Sequence, residues 1–318
     1  MKKNKILILV FIVTLIFSFS KINTIFGVDP DLPQWQVGNW WKLNIEISGE
    51  VNSVGTTTYT IVGNNVDIVQ NGQNYNCYQI NAIGTGTIFG DIDGTRIGGT
   101  WTLTERHYYT KSEQSWVGFY STYEDTISVN DNSGITPIST VQDEFSSKTI
   151  LDITFNPPFE ANKGYPLTVG ESWSAATIET IKKETTINGD TESSTENEAY
   201  SKTFLVLQKE TITIAIGETD AYIIKRTDPD GAYAEIFYSP EVGFDVKQIE
   251  YDSTGTIQTS MELLSYEYQS IGDNSNLLAT GKFTIIVMVL VISAIVAIYI
   301  LKKKMKSQND VVMRKLLR

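Results

Sequence analysis

The chain has 318 residues, 41% of them hydrophobic, one cysteine, one histidine and a net charge of −12. Twelve of its 25 basic residues lie outside Val28–Gly281, against one of its 37 acids, so that stretch carries about −23. Such a surface repels DNA, RNA and anionic headgroups, and a lone cysteine excludes an intramolecular disulfide framework.

Met1–Lys5 (MKKNK) is a basic start, and Ile6–Phe19 is an apolar run too short for an easy membrane span. Together they read as a signal peptide over 1–27, with cleavage after Ser20 or Gly27. From Val28 the sequence is rich in Thr, Ile, Val and Tyr. Gly, Asn and Asp separate the runs, which is the pattern of strands and turns. Trp101, Leu103, Glu105, His107 and Tyr109 share one face, opposite Thr102, Thr104, Arg106 and Tyr108, and this period of two predicts a half-buried strand. Turn signals stand at Asn71-Gly72, Asp93-Gly94, Asn188-Gly189, Asp230-Gly231 and Ser253-Thr254-Gly255. No amphipathic helix of ordinary length stands out.

Self-comparison matches Val37-Gly38-Asn39-Trp40-Trp41 with Val169-Gly170-Glu171-Ser172-Trp173. It also matches Tyr108-Tyr109…Val117-Gly118-Phe119 with Phe237-Tyr238…Val242-Gly243-Phe244. These pairs predict an internal repeat: a first β unit over 28–160 and a second over 161–270, each an open antiparallel sheet. The prolines at 157, 158 and 166 mark the boundary, since proline interrupts a ladder. The polar stretch Thr177–Thr203 reads as a long exposed hairpin turning at Asn188-Gly189. The expected fold is all-β, two tandem half-barrel-like sheets plus one transmembrane helix.

A polar stalk follows over 271–282, and then Phe283–Leu301, nineteen residues without charge, Gly or Pro. At ~1.5 Å per residue such a helix reaches about 28 Å, close to the ~30 Å hydrocarbon core. Lys302, Lys303, Lys304 and Lys306 open a basic tail over 302–318, which keeps that side cytoplasmic. The expected topology is a single-pass protein of the cell membrane with its large domain outside.

Thr213–Lys225 (TIAIGETDAYIIK) and Phe237–Tyr251 (FYSPEVGFDVKQIEY) carry a resemblance. They are similar to the turn-and-strand segments of DUF3108-like envelope proteins, which are related to lipoprotein-carrier half-barrels. Ala215-Ile216 stands where that pattern has Pro-Ala, and a transmembrane anchor replaces a lipidated cysteine. The resemblance implies an archaeal-type, membrane-anchored surface protein with an apolar recess between its half-sheets. Candidate lining residues are Trp41, Trp101, Trp173 and Tyr238.

Motifs of catalysis are missing: no phosphate-binding loop, no G-x-S-x-G, no H-E-x-x-H and no C-x-x-C. His107 is the only histidine, and no nucleophile or acid is ordered around it in sequence. Asp91 and Asp93, like Asp228 and Asp230, echo fragments of calcium loops, but the remaining oxygen donors of such a loop are missing. The expectation is therefore a non-catalytic binding module without cofactor, for an apolar or lipid-like ligand. The alternative is a structural or protein-interaction component of the envelope.

Overall fold

Alternating burial marks the strands that enclose the core. In β1 (Trp40–Ile47), Trp41, Leu43, Ile45 and Ile47 are buried while Lys42, Asn44 and Glu46 face outward. In β4 (Thr95–Thr110) Trp101, Leu103, Glu105, His107 and Tyr109 are buried, the face predicted from sequence, and Ile97 and Thr110 join them. The computed structural model describes residues 32–92, 95–131 and 142–268. The predicted signal peptide, the Asp93-Gly94 turn, the stalk, the 283–301 run and the basic tail lie outside the described residues.

The other strands are β2 (Val51–Gln70), β3 (Gln73–Ile92), β5 (Trp116–Asp131), β6 (Gln142–Phe159), β7 (Ser172–Ile187), β8 (Asp190–Ile214), β9 (Gly217–Thr227), β10 (Tyr233–Ser239), β11 (Phe244–Tyr251) and β12 (Ile257–Glu267). Each pairs antiparallel with its neighbour in sequence, and β1 pairs with β12 to close the ring. The result is one closed twelve-stranded barrel. Closure satisfies the backbone groups of the first and last strands, which an open sheet leaves exposed.

This overturns the expectation of two tandem half-barrel sheets. The supposed boundary is an ordinary ladder: β6 and β7 pair from Ser147↔Ile187 to Asn156↔Ile178. The prolines do act locally, because β6 continues to Phe159 while its ladder with β7 stops at Asn156. Two sheets buried against each other would have an interface between them; a single wall has none.

The self-matched segments have different fates. Gly38 N–H donates to Ile61 O and Ile61 N–H to Asn39 O; Gly170 N–H donates to Val206 O and Val206 N–H to Glu171 O. Both glycines have positive φ, 97° and 88°, a conformation that glycine adopts freely. Register shifts fall at Tyr108/Tyr109 and at Phe237/Tyr238, the matched dipeptides. The Val-Gly-Phe part of the second match fails: Val117-Gly118-Phe119 lies within β5, whereas Val242 and Gly243 precede β11.

The chain enters β1 and leaves β12 at the same rim, since Trp40 pairs with Glu267. That upper rim is closed by residues 33–39, 111–115, 160–171 and 240–243. Trp35 is buried there against Trp41, Tyr78 and Tyr109, and its Nε1 donates to Gly243 O at 3.2 Å. Gln114 Nε2 donates to Pro33 O, and Asn162 Nδ2 to Gln114 O. Two hairpins pass this rim. Beyond Thr60, β2 pairs with β3 alone, and beyond Leu205, β8 pairs with β9 alone. At the lower rim the walls are unequal, because β8 starts at Asp190 but its ladder with β9 starts only at Thr203.

Candidate interaction surface and interior charge network

The four aromatic candidates occupy separate places in the packing. Trp41 is fully buried, donates from Nε1 to Val242 O at 2.9 Å and stacks on Phe244 with centroids 4.6 Å apart. Trp101 is buried beside Tyr123, over Gly55, Gly84 and Gly86, whose missing side chains make room for its ring. Trp173 is half-buried, donates to Ala161 O at 2.9 Å and stacks on Phe204. Tyr238 is fully buried with its ring edge-on to Tyr165. A side chain of zero exposure touches no space wide enough for water, so Trp41 and Tyr238 are used up in packing.

Asp91 is exposed on β3, where its register partner on β4 is Arg96; Asp93 lies outside the described residues. Among the described residues no group of three or more His, Cys, Asp or Glu is placed to hold a metal ion. His107 is buried, its Nε2 3.0 Å from Glu105 Oε2, with rings of Trp116 and Phe119 stacked 6.1 and 5.4 Å away. Cys77 is buried, and burial, with a smaller contribution from Asp67, pushes its thiol up to about 12. Such a thiol stays protonated and is a poor nucleophile.

A charge network in the interior was not anticipated. Arg226 on β9 is 1% exposed and its Nη2 donates to Glu250 Oε1 on β11 at 3.2 Å. Gln248 Nε2 donates to the same oxygen at 2.6 Å. Lys202 on β8 pairs with Asp228 just past the end of β9. Burial, then the Arg226 charge, lowers the Lys202 pKa, while Asp228 pulls it back. Asp245 is buried, and desolvation raises its carboxyl well above the usual range despite Arg226 nearby. Burial first, and Glu198 second, lift Glu179 to about 7, with Lys202 opposing. Burial likewise raises the Tyr59 and Tyr109 hydroxyls, and Glu105 adds to it. One signal was available: Ile224, Arg226 and Asp228 alternate on one face, as do Val246, Gln248 and Glu250. Arg226 pairs with Glu250 and Lys202 with Asp228, while neither carboxyl oxygen of Asp245 has a hydrogen-bond partner among the described residues; the two pairs tie β9 to β11 and β8 to the end of β9.

The exterior is different. Val37 and Val169, the first residues of the two matched openings, are exposed at the upper rim, and Val69 and Ile216 are exposed on the two hairpins that pass it. At the lower rim β8 takes β9 as a neighbour only from Thr203 onward, so Asp190–Lys202 have β7 on one side and, among the described residues, no strand on the other.

No protein-family model matches the chain, and no curated protein matches its sequence. Among solved structures, a β-barrel-like protein of a domain of unknown function, DUF1849, from Brucella abortus is similar at TM-score 0.38 and 7% identity, covering 73% of this chain and 98% of that one. An exported protein with a YmcC-like fold from Bacteroides fragilis gives 0.27 and 10%, covering 74% and 98%. A protein described as a lipoprotein from Parabacteroides distasonis gives 0.26 and 15%, covering 74% and 97%. At these scores the likeness carries no assignment of function. No helix of the described residues is long and apolar enough to cross a membrane.

Proposed function

We propose that this chain is a membrane-anchored, non-catalytic contact component of a cell envelope. The barrel stands outside the membrane, the 283–301 run holds it there, and the basic 302–318 tail lies in the cytoplasm. One observation carries the reading. The side chains suited to chemistry or ligand capture are spent inside the wall, as with Trp41 on Phe244 and His107 on Glu105, while the outside offers exposed Val69 and Ile216 on the upper hairpins and, among the described residues, a run of strand with a single neighbour. The expectation of an apolar ligand rested on a recess between two half-sheets, and a single closed wall takes that support away.

The test is crosslinking in intact cells. A photoreactive residue is placed at Val69 or Ile216 on the upper hairpins, or at Thr195 on the lower one. Adducts with another envelope protein from one of these rims are expected. Protease added outside should remove a barrel epitope and spare one at the C-terminus. No adduct from either rim, or a protected barrel, would end the proposal.

A further inference from the structure

The β7–β8 hairpin leaves a long strand edge open, and its chemistry selects what can lie there. Residues 190–202 of β8 are thirteen in a row without a second neighbour among the described residues, and 190–199 are all exposed. At ~3.3 Å per residue they offer about 40 Å of edge. The ladder with β7 runs from Ser172↔Leu205 to Ile187↔Asp190 without a register shift. Proteins blunt open edges with charged side chains, lysine above all, with proline, with bulges or with a covering segment. Residues 190–202 contain no proline, their one lysine, Lys202, is buried against Asp228 at the barrel end of the run, and their ladder has no bulge. What they carry is carboxylates.

Asn188 and Gly189 have φ of 49° and 91°, a type I′ turn. Its closing bond joins Ile187 O to Asp190 N–H, so even-numbered residues of β8 direct their backbone toward β7. Odd-numbered residues from Thr191 to Ser201 direct N–H and C=O outward, in line with Thr203, which pairs with Thr227 of β9. Side chains alternate likewise. Asp190, Glu192, Glu196 and Glu198 share the face that leads to buried Phe204 and Val206, while Thr191, Ser193, Thr195 and Asn197 share the other. On that acidic face β7 contributes one cation, Lys183, in register with Ser194.

A second copy is disfavoured as occupant. Antiparallel self-pairing centred on Ser194 sets Asp190 against Glu198 and Glu192 against Glu196, and like charges directly opposite are destabilising. We propose that this edge accepts an extended segment of a partner protein bearing Lys or Arg at alternate positions, added as the strand that β9 does not supply. Main-chain hydrogen bonds would give affinity and the carboxylates would set register. This deepens the contact reading above and depends on it.

The test uses the full chain in lipid nanodiscs and a fluorescent twelve-residue peptide of alternating Lys and Thr. Anisotropy should show saturable binding, with slowed amide exchange at odd-numbered residues between Thr191 and Ala199. An alternating Glu/Thr peptide should bind at least tenfold more weakly. So should a peptide of equal positive charge interrupted by prolines. Thr195→Pro removes one outward N–H, a position at which an edge strand tolerates proline, and should weaken binding at least tenfold. Glu192→Lys with Glu196→Lys, both at exposed positions, should reverse the preference between the two alternating peptides. Equal binding of the proline-interrupted peptide would mean plain charge attraction and overturn the proposal, as would unchanged exchange at these amides. Cellular adducts from the upper hairpins but none from Thr195 would also overturn it while leaving the contact reading intact; no adduct at all would remove that reading itself.

Discussion

Arg226 and Glu250 meet across an intervening strand. Their strands β9 and β11 are separated by β10, and in the shared register the residue between them is Ala234, which pairs with both. The 3.2 Å contact from Nη2 to Oε1 therefore passes over a methyl group. A larger side chain at 234 would fill that path. Small residue and charge pair form one arrangement, set by register rather than by nearness in sequence.

Arg226→Ala should destabilise the barrel by about 3–5 kcal/mol, the cost of leaving one partner of a buried pair uncompensated. Arg226→Met combined with Glu250→Leu should cost much less, because it removes both charges and keeps volume. Urea unfolding followed by tryptophan fluorescence checks this. If the single change is as mild as the double one, the pair is not the constraint described here.

The strands were legible because their faces alternate, and β4 shows this with Trp101 through Tyr109. The turn at Asn188-Gly189 was legible because few residue pairs accept positive φ twice. Closure was not. Nothing local in Trp40–Ile47 says that its second partner is β12, more than 200 residues away, since both partners read as ordinary alternating strands. The pairing of interior charges was hidden for a related reason: Arg226 and Glu250 each alternate with apolar residues on their own strand, but only the register of β10 brings the two together. The aromatic candidates were recognised as important, but composition cannot tell a ring that lines a recess from one that fills it.

Stability should depend on pH through Glu179. Its carboxyl is lifted from 4.5 to about 7 by burial and by Glu198. The folded protein therefore holds a proton that the unfolded chain releases between those values. The contribution is full below pH 4.5 and is lost as pH rises through 7. Glu179→Gln should match the parent near pH 4 and be the more stable of the two at pH 8. Glu198→Gln should narrow the window by lowering the Glu179 pKa. A parent and Glu179→Gln pair with parallel stability curves from pH 4 to 8 would contradict this origin.

Gly164 lies under the Trp173 ring. A Cβ at 164 would collide with three ring carbons of Trp173 and with no closer backbone atom. Gly164→Ala should therefore destabilise the parent by about 1–3 kcal/mol through overpacking. In a Trp173→Leu background the same change should cost well under half of that, because the obstructing ring is gone. A double-mutant cycle measures the coupling directly. Equal costs in both backgrounds would show that the 160–171 segment yields in some other way.

Trp41 separates a packed wall from a ligand recess more sharply than any other residue. It has no exposure, a bond to Val242 O, and Phe244 stacked on one side. If it lined a recess, trimming it would weaken binding of an apolar ligand. If it fills the interior, the parent has nothing to lose and the variant gains a cavity. Trp41→Ala should cost about 3–5 kcal/mol, in the range of large-to-small aromatic substitutions in cores. The new void is apolar on the Phe244 side and has one free acceptor, Val242 O, where the indole N–H donated. Indole itself matches both features. We expect Trp41→Ala to bind indole saturably and to recover part of the lost thermal stability in its presence, as a native-state ligand must. The parent should show neither effect, and a fluorescent fatty acyl probe should not bind the parent saturably. Saturable acyl binding by the parent that Trp41→Ala abolishes would restore the ligand-carrier alternative.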